Sequence, residues 1–386
     1  MKRILPVIVL SQFFCTSLWF AGNAVIADMA RQYQLQPNYL AYLTSAVQAG
    51  FITGTLIFAL LAVSDRFLAG RVFLVCAITA ALFNLGICLP GINSEAILAL
   101  RFFTGVFLAG IYPVGMKIAA DHYQQGLGKS LGYLVGALVL GTAFPHLLKS
   151  LSFTMPWQYV MVTTSVLSVF GGVAMFLLVP KGPYSMRSQK LSFNSFLSGF
   201  NNRGFRNAAF GYFGHMWELY AFWTFVPLML TTYKKHFETN LNIPLLSFFI
   251  ISSGALSCVL SGYISKHQGV KKTATGALLL SCICCVVSPL ILKNDSAVLL
   301  IAFLIIWGMA VIADSPMFST LIAQNAPAQS KGSALTIVNC IGFFITIISI
   351  QVINALLTSG SSAYVYVMLS FGPALALIAL IKNKTA

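Results

Sequence analysis

The sequence contains very little charge, since only 8% of its 386 residues are Asp, Glu, Lys or Arg. Soluble domains carry about 25% charged residues, so this chain has too little polar surface to fold as a water-soluble protein. Acidic residues are the scarcest, with 8 Asp and Glu against 23 Lys and Arg. A composition that is 58% hydrophobic, with a mean hydropathy of +0.86, predicts a protein embedded in a membrane.

Several functional motifs are also missing. The chain has no G-x-x-x-x-G-K-[ST] loop, which argues against ATP-driven pumping by this chain alone. Asp121 and His122 are the nearest approach to a catalytic pair, and no nucleophile motif or metal-ligand spacing accompanies them. A polytopic membrane enzyme is therefore disfavoured, and we expect no cofactor. A signalling receptor would need a soluble output domain, and the sequence shows none.

The eight cysteines all lie in apolar stretches rather than in loops where a disulfide would form. Cys282, Cys284 and Cys285 make a C-x-C-C cluster, which is either a soft-metal site or a set of small side chains packing in a helix. We expect packing, and no bound metal, because no His or carboxylate lies nearby in sequence.

Apolar segments close to the roughly 20 residues that a spanning helix needs recur along the whole chain. We predict an all-α membrane protein with twelve transmembrane helices. The predicted spans are 4–27, 39–62, 72–92, 96–119, 131–151, 157–180, 205–232, 244–265, 273–293, 297–319, 333–358 and 363–381. The first span follows Met-Lys-Arg as a signal peptide would, but it is longer than the apolar region of a signal and eleven more spans follow.

The chain divides into two halves that resemble each other. The longest polar interruption, residues 181–204, predicts a cytoplasmic linker between a bundle of six helices at 1–180 and another at 205–386. Gly105 and Pro113 in the fourth span match Gly308 and Pro316 in the tenth at one constant offset. This internal duplication predicts two pseudo-symmetric bundles and is typical of secondary transporters, which bind substrate between their repeats.

Basic residues are distributed unevenly between the two predicted sides of the membrane. With the N-terminus inside, most of the 23 Lys and Arg residues fall in cytoplasmic segments, as the positive-inside rule requires. We therefore expect both termini in the cytoplasm. The net charge of +15 is explained by topology, so no nucleic-acid partner is expected. Contact with anionic lipid headgroups is a secondary expectation.

The loop between the second and third spans reads SDRFLAGR, from Ser64 to Arg71. It resembles the signature loop of the major facilitator superfamily, in which a Gly is followed four residues later by Asp-Arg and then by Gly and basic residues. Leu61 replaces the first Gly here, and Lys266 takes the Asp position in the matching loop of the second half. The resemblance implies a gating loop that pins neighbouring helix ends. Its residues are Asp65, Arg66, Gly70, Arg71, Gly262 and Gly269.

The fourth span strengthens this resemblance, because Arg101 followed by Gly105 matches a pattern common in the family. The stretch 110–121 looks like the equivalent region of its organic-anion and inorganic-anion porters. Residues 136–145 lack the Gly-Pro and paired glycines of the drug exporters. The resemblance implies a monomeric, proton-coupled transporter of a small solute, such as an organic anion or zwitterion, in the bacterial inner membrane. The alternatives are a multidrug or metabolite exporter and an uncoupled facilitator.

Glu218 points most directly to a mechanism. It lies near the centre of the span 205–232, where a carboxylate costs roughly 2.5 kcal/mol or more unless it faces a wet cavity or a partner. His215 lies on the same helical face, so the two groups can share a proton. We expect this pair to bind protons or substrate. The alternatives are a structural glutamate satisfied by a serine or by backbone, and a metal site built with His215.

Two further charged residues lie within spans. Asp314, predicted near the cytoplasmic end of the tenth span on the face of Trp307, is expected to be a gating or proton-relay carboxylate. Its alternative role is to cap a helix or pair with Lys331. Arg101, predicted toward the outer end of the fourth span on the face of Tyr112, is expected to bind an anionic substrate or a carboxylate. Its alternative is to snorkel to the headgroups.

The charged residues and a few polar ones complete the predicted site. Arg101, Glu218 and Asp314 are expected at outer, middle and inner depths, which would make a ladder of charge if they face one cavity. Weaker cavity candidates, which are equally explained as groups that hold helices together, are Trp19, Asn23, Gln48 and Asn339.

Overall fold

The computed structural model describes residues 4–36, 38–123, 127–151, 155–184, 197, 199–326, 331–360 and 363–381, without the side chains of residues 64, 65 and 127–129. Most of the predicted linker, at 185–196 and 198, lies outside the described residues, as does the side chain of Asp65. Every regular element within the described ranges is a helix, which confirms the all-α prediction. The chain divides into two compact units, Met1–Ser188 and Gln189–Ala386.

The first unit begins with an interrupted helix. Its described helices are α1 (Ile4–Thr16), α2 (Ala21–Ala24), α3 (Ile26–Tyr33), α4 (Tyr39–Leu60), α5 (Val63–Arg66), α6 (Ala69–Gly86), α7 (Ser94–Leu108), α8 (Tyr112–His122), α9 (Leu127–Leu151) and α10 (Gln158–Leu178). The predicted span 4–27 corresponds to α1, α2 and α3, so it is broken at residues 17–20 and at Val25 and continues to Tyr33. The prediction of one continuous helix ending near 27 is wrong.

The second unit contains longer helices. They are α11 (Arg203–His236), α12 (Ile243–Gln268), α13 (Val270–Leu292), α14 (Ala297–Ala313), α15 (Ser315–Asn325), α16 (Lys331–Thr358), the 3₁₀-helix Ala363–Ser370 and α17 (Phe371–Ile381). Across the described part of both units, ten helical stretches are long and apolar enough to cross a membrane. The two other predicted spans correspond to the interrupted first helix and to α11. The protein is therefore a multi-pass membrane protein.

The tenth predicted span is longer than expected and is broken at Asp314. It continues past residue 319 to the end of α15, and α14 and α15 meet at this residue. Pro316 explains the break, because it has no N–H for the carbonyl of Ile312 and is tolerated in the first turn of α15. Asp314 lies in the interior of the span rather than near its cytoplasmic end. The predicted ladder, with Asp314 as its inner step, is wrong on this point.

The turns of the two predicted gating loops form at residues other than those expected. In the first loop Ala62 adopts the left-handed conformation, with φ 48°, whereas Gly70 lies in the first turn of α6. In the second loop α12 continues through Gly262, and Gly269 makes the turn with φ 88°. The prediction that Gly70 and Gly262 are turn residues is wrong, since only Gly269 needs the conformational freedom of glycine.

Two glycines allow close packing of matching helix pairs. A Cβ on Gly105 of α7 would overlap the carbonyl oxygen of Val47 in α4, and a Cβ on Gly308 of α14 would overlap the carbonyl oxygen of Ile250 in α12. The offset in sequence that relates Gly105 to Gly308 also relates Val47 to Ile250. Small residues permit backbones to approach in membrane helices, where packing drives association.

The Gly308→Ala substitution is expected to destabilise the second unit by about 1–3 kcal/mol, because the added methyl must push α14 away from α12. The matched control is Gly276→Ala in α13, where nothing lies within 4 Å of the added Cβ. Alanine favours helix more than glycine does, so the control is expected to be neutral or stabilising. Thermal unfolding of the purified variants checks both results. Equal unfolding temperatures would contradict the packing argument.

Candidate functional site

The carboxylate of Glu218 is enclosed by three uncharged donors in the second unit. Glu218 lies midway along α11 and is only 1% exposed. The indole N–H of Trp307 in α14 donates to its Oε1 at 2.6 Å, and the hydroxyl of Ser281 in α13 donates to its Oε2 at 2.9 Å. The thiol of Cys285, one turn after Ser281, donates to Oε1 at 3.2 Å. The carboxylate is therefore held between three helices.

Ser281 has a second acceptor within reach, so the site suits either protonation state of Glu218. The Ser281 Oγ also lies 3.1 Å from the carbonyl oxygen of Leu278. A hydroxyl donates one proton and accepts through two lone pairs. Ser281 donates to an ionised Glu218, whereas it can donate to Leu278 and accept the proton of a neutral Glu218. The cluster can gain or lose a proton without leaving a buried polar atom unpaired.

The partner of His215 is Asp314 rather than Glu218, so the predicted pairing of His215 with Glu218 is wrong. Nδ1 of His215 lies 2.7 Å from Oδ1 of Asp314, and both side chains are 1% exposed. The break between α14 and α15 is where Asp314 meets the imidazole. Nε2 of His215 has no hydrogen-bond partner in the described part of the chain. The ring is therefore able to accept a proton or a ligand at this nitrogen.

These residues form one polar group inside the second unit. We refer to His215, Glu218, Asp314, Trp307, Ser281 and Cys285 as the carboxylate cluster. The two carboxyl groups are near enough for their charges to interact. Among the described residues, neither carboxyl forms an ion pair with Lys or Arg. Keeping both ionised without a cation costs several kcal/mol at membrane depth, which favours binding of a proton or another cation.

Arg101 stabilises the interruption of the first helix. The non-helical residues 17–20 leave carbonyl groups without helical partners. The guanidinium of Arg101 donates to the carbonyl oxygens of Leu18, at 3.1 Å, and of Trp19. It also donates to Oδ1 of Asn84 at 3.0 Å. Irregular backbone is tolerated at membrane depth only where such partners are available, so this arginine supports the break.

Arg101 is wholly buried and does not reach the headgroups by snorkelling. Within the described residues it forms no ion pair with a carboxylate. Only its Nε lacks a hydrogen-bond partner in that part of the chain. Asn84 in turn donates to Oγ of Ser165 at 3.0 Å and to the carbonyl oxygen of Met161, which ties α6 to α10. A role for Arg101 in binding an anion stays a prediction.

A line of polar side chains on α4 faces the interrupted helix. Nδ2 of Asn23 in α2 donates to Oγ1 of Thr44 in α4 at 2.8 Å. Gln48 and Thr55 follow on the same face, because residues four and eleven positions later return to the same side of a helix. All four side chains are buried. We refer to Asn23, Thr44, Gln48 and Thr55 as the amide face.

Most polar atoms of the amide face lack partners in the described part of the chain. Unpaired are both amide atoms of Gln48, Oδ1 of Asn23 and Oγ1 of Thr55. An unsatisfied buried polar group costs about 1–3 kcal/mol. The rings of Trp19 and Phe51 pack 4.9 Å apart beside these groups. The sequence had suggested Trp19, Asn23 and Gln48 as cavity residues, but the unpaired atoms became apparent only in the structure.

Other predicted residues lie apart from these clusters or make simple contacts. Asn339 accepts a hydrogen bond from the hydroxyl of Tyr212 at 2.6 Å. Tyr112 begins α8 and is partly buried, and Arg66 and Arg71 are exposed. Their predicted roles in binding and gating stay predictions.

Several partners that complete the two charged sites were not predicted from the sequence. Ser281 and Asn84 are polar residues inside apolar spans, which was the available signal, but neither was selected. Cys285 was interpreted as a packing residue of the C-x-C-C cluster, whereas its thiol contacts Glu218. The described residues contain no group of three or more His, Cys, Asp or Glu side chains arranged to hold a metal ion.

Comparison with known structures places this architecture among transporters. The nucleoside transporter NupG is similar with a TM-score of 0.74 and 13% identity, covering 99% of this chain and 100% of that one. The human organic anion transporter MFSD10 (TETRAN) gives 0.76 and 14%, covering 98% and 99%. A bacterial homologue of the human lysosomal transporter Spinster gives 0.69 and 12%, covering 99% and 95%. At these identities the likeness shows the fold alone.

The sequence comparison identifies the family. No curated protein matches the sequence significantly. Residues 8–350, which include the carboxylate cluster and the amide face, match the family model described as Major Facilitator Superfamily. The chain therefore belongs to the Major Facilitator Superfamily, a family of transporters, as its signature-like loop predicted.

Proposed function

We propose that the protein is a proton-coupled secondary transporter, which moves a small polar solute across the bacterial inner membrane by alternating access. The observation that carries the proposal is the carboxylate cluster, in which two buried carboxyl groups and an imidazole meet without a Lys or Arg partner among the described residues. A proton is the smallest ligand that removes the cost of such charge. The cluster is therefore the proposed proton site.

Coupling follows from differential affinity for the proton. A ligand shifts a conformational equilibrium only by the difference in its affinity for the two states. Neutral Glu218 costs less to enclose in a dry site than ionised Glu218, so protonation favours the state in which the cluster is closed. Ser281 supports both protonation states, because it has an acceptor in Leu278 when Glu218 no longer needs its proton.

The proposed architecture consists of twelve transmembrane helices in two pseudo-symmetric bundles of six, with both termini in the cytoplasm. The matching contacts of Gly105 with Val47 and of Gly308 with Ile250 support the repeat, since they recur at the same offset. The excess of basic residues in the segments predicted to be cytoplasmic supports the orientation. We propose a monomer in contact with membrane lipid.

The charge of the solute depends on what Arg101 does during transport. An organic anion or zwitterion was the class that this arginine suggested, and one structural neighbour is described as an organic anion transporter. In the present structure Arg101 donates to Leu18, Trp19 and Asn84 instead. Binding an anion would require it to release these acceptors. We therefore propose the broader class of small polar solutes.

The proposal is tested with the purified protein in vesicles that contain a pH-sensitive dye. A ligand is first identified by thermal stabilisation against metabolite, siderophore and drug libraries. Adding that ligand outside, with no pH gradient imposed, is expected to change the internal pH in proportion to the solute that enters. Solute entry without any proton movement would instead identify an uncoupled facilitator. Chemical conversion of the ligand would identify an enzyme.

A further inference from the structure

We infer that the amide face binds the substrate through an uncharged, planar hydrogen-bonding edge, such as that of a carboxamide or a lactam. The inference rests on the proposed function and assigns it a substrate class. It concerns the first unit alone, where the interrupted first helix faces α4. Transporters use discontinuous helices of this kind to form substrate sites.

The position of Gln48 is defined by two contacts that flank it. One turn before Gln48, Thr44 accepts a hydrogen bond from Asn23 at 2.8 Å. One turn after Gln48, the ring of Phe51 packs 4.9 Å from the ring of Trp19. Both contacts join the same face of α4 to the interrupted helix, so the Gln48 carboxamide lies between them. It is 0% exposed.

The unpaired atoms of the amide face indicate a missing ligand. Gln48 Oε1 and Nε2, Asn23 Oδ1 and Thr55 Oγ1 have no hydrogen-bond partner in the described part of the chain. Buried polar side chains in folded proteins nearly always have one. Four unpaired atoms along one face, beside two aromatic rings, are better explained by a bound molecule than by chance.

The chemistry of these groups selects an uncharged ligand. A carboxamide presents a donor and an acceptor in one plane, which complements the edge of another amide or of a lactam. Aromatic rings add a flat apolar surface for a planar ligand. Arg101, the only fully buried cation of the described first unit, donates to Leu18, Trp19 and Asn84, so it does not supply an anion site here.

The test measures ligand-induced thermal stabilisation of the purified full-length protein. Nicotinamide and uracil serve as neutral probes, and nicotinate and benzoate serve as carboxylate probes of similar size. Wild type is expected to be stabilised by at least one neutral probe and by neither carboxylate. The Gln48→Met variant is expected to weaken the apparent affinity for that neutral probe about tenfold or more, because the bonds to the amide are lost.

Stability without ligand provides an independent measurement. Gln48→Met replaces two unpaired atoms by an apolar group of similar length, so its unfolding temperature is expected to rise by about 1–3 °C. The matched control is Gln12→Met, since Gln12 has an equally buried amide with no partner among the described residues and packs at Gly115 instead. It is expected to have a similar effect on stability and to leave the probe-induced shift unchanged.

Three outcomes would overturn the inference. They are stabilisation by the carboxylate probes in preference to the neutral ones, no stabilisation by either neutral probe, and a lower unfolding temperature of Gln48→Met without ligand. The last would mean that the amide is satisfied within the protein or by a structural water. None of these results bears on proton movement, which the dye-filled vesicles measure separately, so the two proposals fail independently.

Discussion

Replacing Glu218 with Gln is expected to abolish accumulation of substrate against its gradient, while exchange of substrate across the membrane continues. The side chain keeps its shape, so Trp307 still donates to the remaining carbonyl oxygen. Ser281 can accept from the new amide while it donates to Leu278. Folding is therefore preserved. The variant imitates the protonated carboxyl group permanently, so it cannot exchange a proton between the two sides.

The measurement uses vesicles with an imposed pH difference and a labelled substrate. For one proton per solute, one pH unit corresponds to about 1.4 kcal/mol, which drives a roughly tenfold concentration ratio in wild type. The ratio in Glu218→Gln is expected to fall to about one. The direction of the pH gradient that drives accumulation also distinguishes symport from antiport.

Two further variants make this result specific. Glu95→Gln makes the same chemical change at an exposed position in the first turn of α7 and is expected to accumulate substrate like wild type. Asp314→Asn shows whether the acid next to His215 is also required. Undiminished accumulation by Glu218→Gln would contradict the assignment of Glu218. If Asp314→Asn alone then abolished it, Asp314 would be identified as the proton carrier.

Removing the guanidinium of Arg101 is expected to destabilise the protein more than the loss of close helix packing at Gly308 does. Arg101→Ala leaves the carbonyl oxygens of Leu18 and Trp19 and the Oδ1 of Asn84 without this buried donor. Each unsatisfied group costs about 1–3 kcal/mol, so a total loss of about 3 kcal/mol or more is expected. Arg101→Lys is expected to recover only part of it, because a single ammonium cannot reproduce the fork that reaches all three acceptors.

Thermal unfolding separates this structural role from a role in substrate binding. Arg101→Ala is expected to lower the unfolding temperature by about 5 °C or more. The control, Arg31→Ala, removes an arginine whose side chain is 79% exposed beside Asp28, so its effect is expected to stay below about 1 kcal/mol. If Arg101→Ala unfolded like wild type but lost stabilisation by anionic ligands, Arg101 would be a substrate residue instead.

Knowledge of the tertiary contacts changes the meaning of residues that the sequence already made conspicuous. Glu218 and Arg101 stood out because charge is costly inside an apolar span, and both are wholly enclosed in the structure. Their partners were not evident. Helical spacing favoured His215 as the partner of Glu218, whereas Asp314, distant in sequence, takes that histidine. Spacing along one helix reports only local neighbours, and these contacts join different helices.

The same limit applies to helix interruptions. Apolar length alone predicted the spans and the membrane class, because a bilayer rewards hydrophobicity averaged over about 20 residues. That average is insensitive to breaks at single residues, such as those at 17–20 and at Asp314. A broken helix is stable only if other groups satisfy the freed backbone, as Arg101 does. Whether such groups are present depends on contacts with distant parts of the chain.

The amino-acid sequence by itself determined the membrane class, the helical architecture and the family, since these depend on composition, hydrophobic length and a local loop pattern. The tertiary structure alone decided which donors surround Glu218, which acid meets His215 and which amides of α4 stay without partners. Hydrogen bonds act over about 3 Å. Their formation depends on the rotation and crossing of packed helices, which no local pattern in the sequence specifies.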